Sequence, residues 1–296
     1  MKGKSYRAES SQRKIAYLFL APNLLGYVVF VLIPVIWSLV LSFTDWDGFG
    51  ELKFIGLKNY ITLFKDETFL ISIKNNIVYT IGTVPVSIFI GLLVAIIMNK
   101  KLKGINIFRA IYFMPYITAV VAVAVVWSAF YHPSMGPINM FLKSIGMANP
   151  PRWLSSTTWA LPAVMIMTVW KGFGYNMVIL LAGLQGIPKE LYEAGEMDGA
   201  NWFQQFRNIT VPMLSPTIFF VTIMGIITSF KVFDQIYAMT GGGPGRATNV
   251  LVYYIYTESF QNSRFGYASA LAYVLFALIL MVTLIQFRGQ KKWVNY

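Results

Sequence analysis

Six apolar runs divide the chain, at about Ile15–Phe43, Asn76–Met98, Phe108–Phe130, Trp159–Leu184, Met213–Tyr237 and Tyr267–Phe287. A helix needs about 20 apolar residues to cross a bilayer, so the pattern predicts an all-α, polytopic membrane protein with six transmembrane helices. Pro22 and Pro34 fall inside the first run. Membrane helices tolerate such kinks where neighbours re-satisfy the freed backbone groups. Between the runs, Thr44–Lys74 is mixed and polar. In Tyr131–Ser156, Ile138, Phe141, Leu142 and Ile145 recur at helical spacing between prolines. That spacing predicts a short helix on the outer surface, and a second is expected near Asn249–Phe260, after a glycine turn. No internal repeat of fixed period is present.

The connection between the fourth and fifth runs, residues 188–212, differs from the rest. It holds Glu190, Glu193, Glu196 and Asp198. Pro188 fits a first helical position, and the acids after it suit the helix dipole. Asp198-Gly199 breaks the run. Asn201, with Gln204 three residues on, matches a capping box that opens a second helix. Trp202, Phe206 and Ile209 give that helix an apolar stripe, and Pro212 is expected to close it. From pattern alone, an amphipathic pair lying in the headgroup region fits as well as a docking element.

Only 12% of the 296 residues are charged, against roughly 25% in soluble domains. A net charge of +12 raises the question of nucleic acid, but the basic residues cluster beside the apolar runs. The N-terminus (Lys2, Lys4, Arg7, Arg13, Lys14), residues 99–109, residues 185–212 and the C-terminus hold fourteen Lys/Arg, the three opposite loops eight. The positive-inside rule then predicts that residues 1–14, residues 288–296 and the acidic connection lie in the cytoplasm. Residues 15–287 form one transmembrane domain in the cell membrane, and no nucleic acid is implied. The first run is too long for a signal-peptide core and reads as an uncleaved span. Cysteine is absent and His132 is the one histidine, which excludes disulfides and His-pair metal sites.

Two intramembrane stretches carry candidate chemistry. Lys171 lies mid-span in Thr168–Met177, with Gly172, Gly174, Tyr175 and Asn176 around it. A lysine there costs roughly 2.5–3.5 kcal/mol on insertion scales, so it should face a cavity or a partner group. Lysine, tyrosine and amide together suit the hydroxyls of a carbohydrate, while a partner-paired structural lysine is the plainer alternative. Lys231 and Asp234 are three apart near the end of the fifth run, a spacing that shares one helix face. They read either as an ion pair or as ligand contacts. The glycine-rich Met239–Thr248 lacks the Gly-Lys-Ser/Thr of a phosphate loop. No catalytic constellation appears, and no intramembrane acid suits ion coupling.

Glu193-Ala194-Gly195, Asp198-Gly199-Ala200, Phe206, Ile209, Pro212, Leu214 and Pro216 resemble the cytoplasmic EAA loop of binding-protein-dependent ABC import permeases. Gly195 stands where that motif has a second alanine. Phe54–Tyr60 (FIGLKNY) and the glycine run are similar to loops of the maltose, glycerol-phosphate and multiple-sugar permeases.

The resemblance implies a heterodimer with a second permease, two cytoplasmic ATPase subunits carrying ATP and Mg, an extracytoplasmic substrate-binding protein and a carbohydrate substrate. It also implies that Glu193, Ala194, Gly195, Asp198, Gly199, Ala200, Trp202 and Phe206 couple to the ATPase. Lys171, Gly172, Tyr175, Asn176, Lys231 and Asp234 are then expected along the substrate path. Two other classes differ in what they require. A secondary carrier needs inverted repeats and an intramembrane ion site. A membrane enzyme needs clustered catalytic residues.

Overall fold

A computed structural model describes residues 17–100 and 103–290. The basic residues expected in the N-terminal tail, with Lys101, Lys291 and Lys292, lie outside the described residues. The described chain divides into two compact units, one of residues up to Leu63 with Glu258–Tyr273, the other of Phe64–Thr257 with the chain from Val274 onward.

In the first unit, α1 (Tyr17–Leu41) is a long apolar helix, almost wholly exposed along its length. Such a surface suits lipid rather than water. The wider π turn at Val28–Leu32 precedes Pro34, the kind of local adjustment that accommodates a proline. A minimal hairpin follows, β1 (Thr44–Asp45) against β2 (Lys53–Phe54), antiparallel with Thr44 opposite Phe54. Helix α2 (Lys58–Leu63) supplies Asn59, whose buried amide donates to the carbonyls of Ser42 and Thr44 at 2.9 and 2.8 Å. The FIGLKNY stretch is therefore structural, since its asparagine ties the end of α1 to the hairpin. In the chain returning to this unit, the Arg264 guanidinium lies 2.9 Å from the buried Glu258 carboxylate.

The second unit is built around α3 (Glu67–Met98). Asp66 caps it by accepting from the Thr68 backbone N–H. This helix begins nine residues before the expected Asn76, because Asp66 and Glu67 form an N-terminal cap that hydropathy does not register. The expected third span is two helices, α4 (Ile105–Ile117) and α5 (Val120–Phe130), bent by 95° about a two-residue break. Thr118 and Ala119 there have extended ψ values of 144° and 127°. A short helix, α6 (Pro137–Ser144), forms where the spacing placed it.

Helix α7 (Ala160–Gln185) packs along α3. Short α8 (Lys189–Met197) leads to α9 (Trp202–Phe230). Pro188 is the residue before α8 rather than its first helical residue. Pro212 does not close a helix either: α9 runs through it into the membrane segment. A π turn at Phe206–Thr210 immediately precedes it, a distortion that absorbs the missing N–H.

At its far end α9 stops at Phe230, and α10 (Asp234–Met239) and α11 (Leu251–Tyr256) follow. Lys231 is the terminal cap of one helix and Asp234 the first residue of the next. They do not share a helix face, because the chain leaves the helical region between them, with Phe233 at φ −143°. The last helix is α12 (Phe265–Gln290). Five described helices are long and apolar enough to cross a membrane, six if the bent pair is one span.

Two buried clusters hold the second unit together. One centres on Tyr79, Tyr131, Trp153, Met167 and Ile236, the other on Ile88, Met177, Leu180, Leu184 and Leu214. Lipid tails are as apolar as leucine, so close packing rather than apolar burial must select this arrangement. Gly91 shows how: a Cβ there would stand 2.9 Å from Asn176 Cβ and 3.0 Å from the Met177 nitrogen.

Candidate functional site

The connection at 188–205 is a folded element. Helix α8 ends as the Asp198 and Gly199 N–H groups bond back to the carbonyls of Ala194 and Glu196, and Gly199 turns the chain at φ +75°. The Ala200 N–H then donates to the Gly195 carbonyl at 2.8 Å. The expected capping box is present in full: the Asn201 side chain accepts from the Gln204 N–H at 3.0 Å, and the Gln204 side chain accepts from the Asn201 N–H at 2.8 Å. A hydrogen bond of 3.0 Å joins the Tyr192 and Thr210 hydroxyls across the turn. Glu193, Ala194 and Asp198 are exposed, as a docking surface requires, whereas Gly195 and Ala200 sit half-buried in the crook.

Trp202 and Phe206 are stacked 5.7 Å apart with nearly parallel rings. Both line a cavity of about 220 Å³ whose other walls include Ile96, Asn99 and Lys100. The pair therefore serves the chain's own packing as well as leaving Trp202 exposed. This element is covalently continuous with two long helices, α7 through Gly186–Pro188 and α9 through Trp202.

Further along α3, α7 and α9 lies a cleft of about 190 Å³ whose wall mixes polar side chains with Val84, Val169 and Met224. Tyr79, Thr83 and Ser87 enter it from α3, Thr168, Gly172, Tyr175 and Asn176 from α7, and Thr228 and Ser229 from α9. Within α3 and α7 these residues recur at intervals of three or four, which puts each set on one helix face. The polar groups are cross-linked. Tyr79 donates to Thr168 at 2.9 Å and accepts from the Gln235 amide at 3.1 Å. Asn176 donates to Ser87 at 2.9 Å. No Asp or Glu lines the cleft.

Of the expected path residues, Gly172, Tyr175 and Asn176 are in the wall. Lys231 and Asp234 are exposed and outside it, although Gln235 reaches it from the first turn of α10. Lys171 is turned away to the break in the third span. Its ammonium donates to the carbonyls of Pro115 and Tyr116 at 2.9 and 2.6 Å. The partner-paired reading thus describes its contacts. The Tyr116 ring, 5.6 Å from the Lys171 ammonium, stacks on Tyr175 at 4.6 Å and completes the cleft wall. Sequence reasoning missed Tyr79, Thr83, Ser87, Tyr116, Thr168, Thr228, Ser229 and Gln235. For the first three a signal existed, since polar residues four apart in an apolar run mark one polar face.

These features define a polytopic helical membrane protein in which an exposed polar helix pair is joined to the helices lining an intramembrane cleft. Residues 87–292 match the family described as the binding-protein-dependent transport system inner membrane component, and the chain belongs to that family. A probable ABC transporter permease protein, YurN of Bacillus subtilis, is 37% identical over 93% of this chain and 95% of its own length. The sn-glycerol-3-phosphate permease UgpA of Agrobacterium fabrum is 34% identical over 95% of this chain and 96% of its own. The trehalose/maltose permease MalF of Thermococcus litoralis is 34% identical over 93% and 92%. The fold matches, at a TM-score of 0.85 and 23% identity over 98% of this chain and all of the other, a chain of a bacterial ABC transporter involved in the import of the acidic polysaccharide alginate. The protein is a permease subunit of an ABC importer, a transport component rather than an enzyme.

Proposed function

We propose that this chain lines half of the translocation path for a carbohydrate or carbohydrate-like solute. It works with a second permease, two cytoplasmic ATPase subunits that bind ATP and Mg, and an extracytoplasmic binding protein. The termini and the 188–205 element face the cytoplasm, in keeping with the lysine and arginine distribution. The carrying observation is the cleft, where hydroxyls, amides and a stacked tyrosine pair line the wall and carboxylates are absent. Hydroxyl and amide groups pair with a polyhydroxylated solute, and ring faces accept its C–H surfaces. The relatives that carry glycerol phosphate and trehalose or maltose support the same substrate class.

The coupling follows from connectivity. The ATPase grips Glu193 and its exposed neighbours on α8, and a push there travels into α7 and α9 without a flexible linker. Both helices carry cleft residues, so a rigid-body tilt re-aims the cleft between two states.

The test is substrate-stimulated ATP hydrolysis by the assembled complex in liposomes, comparing wild type with Glu193→Lys. Lost stimulation with intact insertion and subunit pairing supports the docking role. Unchanged stimulation removes Glu193 from it.

A further inference from the structure

The break in the third span leaves a problem that Lys171 solves. Where α4 ends at Ile117, its last carbonyls have no helical partner, because Thr118 and Ala119 are extended. In the apolar part of a membrane such groups need another donor. Lys171 reaches them from α7, 56 residues away in sequence, and contacts two at once. The same carbonyl ligand, Tyr116, carries the ring that stacks on Tyr175. Lys171 and Tyr175 are one turn apart on α7, so both meet Tyr116 from one helix face. Gly174, between them, brings the backbones together: a Cβ there would run into the Tyr112 carbonyl oxygen.

We propose that Lys171 is a positioning residue for transport: its ammonium staples the open end of α4 and thereby holds the Tyr116 ring against Tyr175 in the cleft wall. The solute touches the tyrosines, and Lys171 acts through them. Its role in selecting a carbohydrate rests on the function proposed above, whereas the staple itself does not. The charge needs no acid because two backbone dipoles and the Tyr116 ring face it, and no carboxylate lies within ion-pair distance among the described residues.

Two measurements separate these claims. The chain has no cysteine, so Ala119→Cys, labelled in this chain before assembly with its partners, places a single nitroxide at the exposed break and leaves the Thr118 hydroxyl on the Met114 carbonyl. The staple predicts a restricted label in the parent, a mobile component in Lys171→Met, and restoration in Lys171→Arg, which keeps a multidentate donor. Lys171→Gln, which keeps two N–H donors on a shorter, uncharged side chain, covers the case in which the methionine variant fails to assemble, and it should give an intermediate spectrum. A label equally restricted in all variants overturns the staple.

The second measurement is ATP hydrolysis stimulated by binding protein and maltotriose. Lys171→Met should raise the half-saturating maltotriose concentration about tenfold with little change in maximal rate, the signature of a binding rather than a chemical defect. Tyr116→Ala should do the same, and the double variant should be no worse than Tyr116→Ala alone, since the two act as one unit. Additive losses, or a fall in maximal rate alone, overturn the positioning role. A parent complex that maltotriose does not stimulate counts against the carbohydrate reading, and the label then decides the staple by itself.

Discussion

Gly195 lies against Ile209: a Cβ added to Gly195 would stand 3.1 Å from the Ile209 Cδ1. The contact joins α8 to the start of α9 and sets how tightly the turn between them closes. It also explains why the glycine that departs from the EAA pattern is compatible with a compact element.

Gly195→Ala should be tolerated. The obstructing atom is the far end of a flexible side chain, and replacing a mid-helix glycine gains about 0.8–1 kcal/mol of helix propensity. Thermal unfolding and coupled ATP hydrolysis should match or slightly exceed wild type. Gly195→Val adds two methyl groups beyond the alanine Cβ in the same crook, where Gln205 Cγ lies 3.7 Å from the Cβ site. It should uncouple hydrolysis from transport while the protein still inserts. Equal coupling in both variants would show that the crook has slack.

Gly172 and Gly174 should separate sharply under alanine substitution. At Gly172 the nearest atom to a new Cβ is Ser87 Oγ, at an ordinary 3.5 Å. At Gly174 the Cβ would strike the Tyr112 carbonyl oxygen, which is backbone and cannot rotate away. Overpacking of that kind costs about 1–3 kcal/mol or more. Gly174→Ala should lower the yield of assembled complex and its melting temperature, and Gly172→Ala neither. A normal melting curve for Gly174→Ala would disprove the close approach of α4 and α7.

Tyr79→Phe tests the hydrogen-bonded wall. The hydroxyl it removes is shared by Thr168 and Gln235. Its loss takes an acceptor from the half-buried Gln235 amide, while Thr168 keeps its bond to the Val164 carbonyl, so the cost should be about 1 kcal/mol. The variant should melt earlier, while Tyr237→Phe, on an exposed ring, should not. Intrinsic tryptophan fluorescence during heating reads both. Indistinguishable curves would mean that the buried hydroxyl contributes nothing net.

Asp47 gives a pH dependence outside the spans. Its carboxylate accepts from the Gly50 and Phe49 N–H groups at 2.7 and 3.0 Å, which holds its pKa below the usual carboxylate range. The folded value lies below the unfolded one, so the local stabilisation is present above the unfolded pKa. It is lost as pH falls through the folded value. The hairpin loop should therefore keep its hydrogen bonds from neutral pH into the acid range and release them at the acid end. The Gly50 amide resonance, followed by NMR, should titrate there in wild type and stay flat in Asp47→Asn. A wild-type midpoint at or above the ordinary aspartate value contradicts this account.

Much of the architecture was legible because its causes are local. Apolar length alone marks the crossing helices, since the bilayer demands it at every position. The element at 188–205 was readable because Asn201, Gln204, Asp198 and Gly199 act on neighbours within four residues. The failures have one form. Pro212 looked like a stop, but the π turn before it carries the helix on. Lys231 and Asp234 looked like one face, but the helix ends between them. The third run looked continuous, although Thr118 and Ala119 open it to a 95° bend.

Chain pattern by itself determined that this is a helical, multi-span membrane protein with a polar helix pair between its fourth and fifth apolar runs. Tertiary structure decided which polar groups meet. Lys171 finds the carbonyls of Pro115 and Tyr116, Tyr79 finds Thr168 and Gln235, and Asn176 finds Ser87. Hydropathy is a sum over neighbours in sequence. A cleft is made by side chains from helices tens of residues apart, whose spacing is set by backbone approach at glycines such as Gly91 and Gly174.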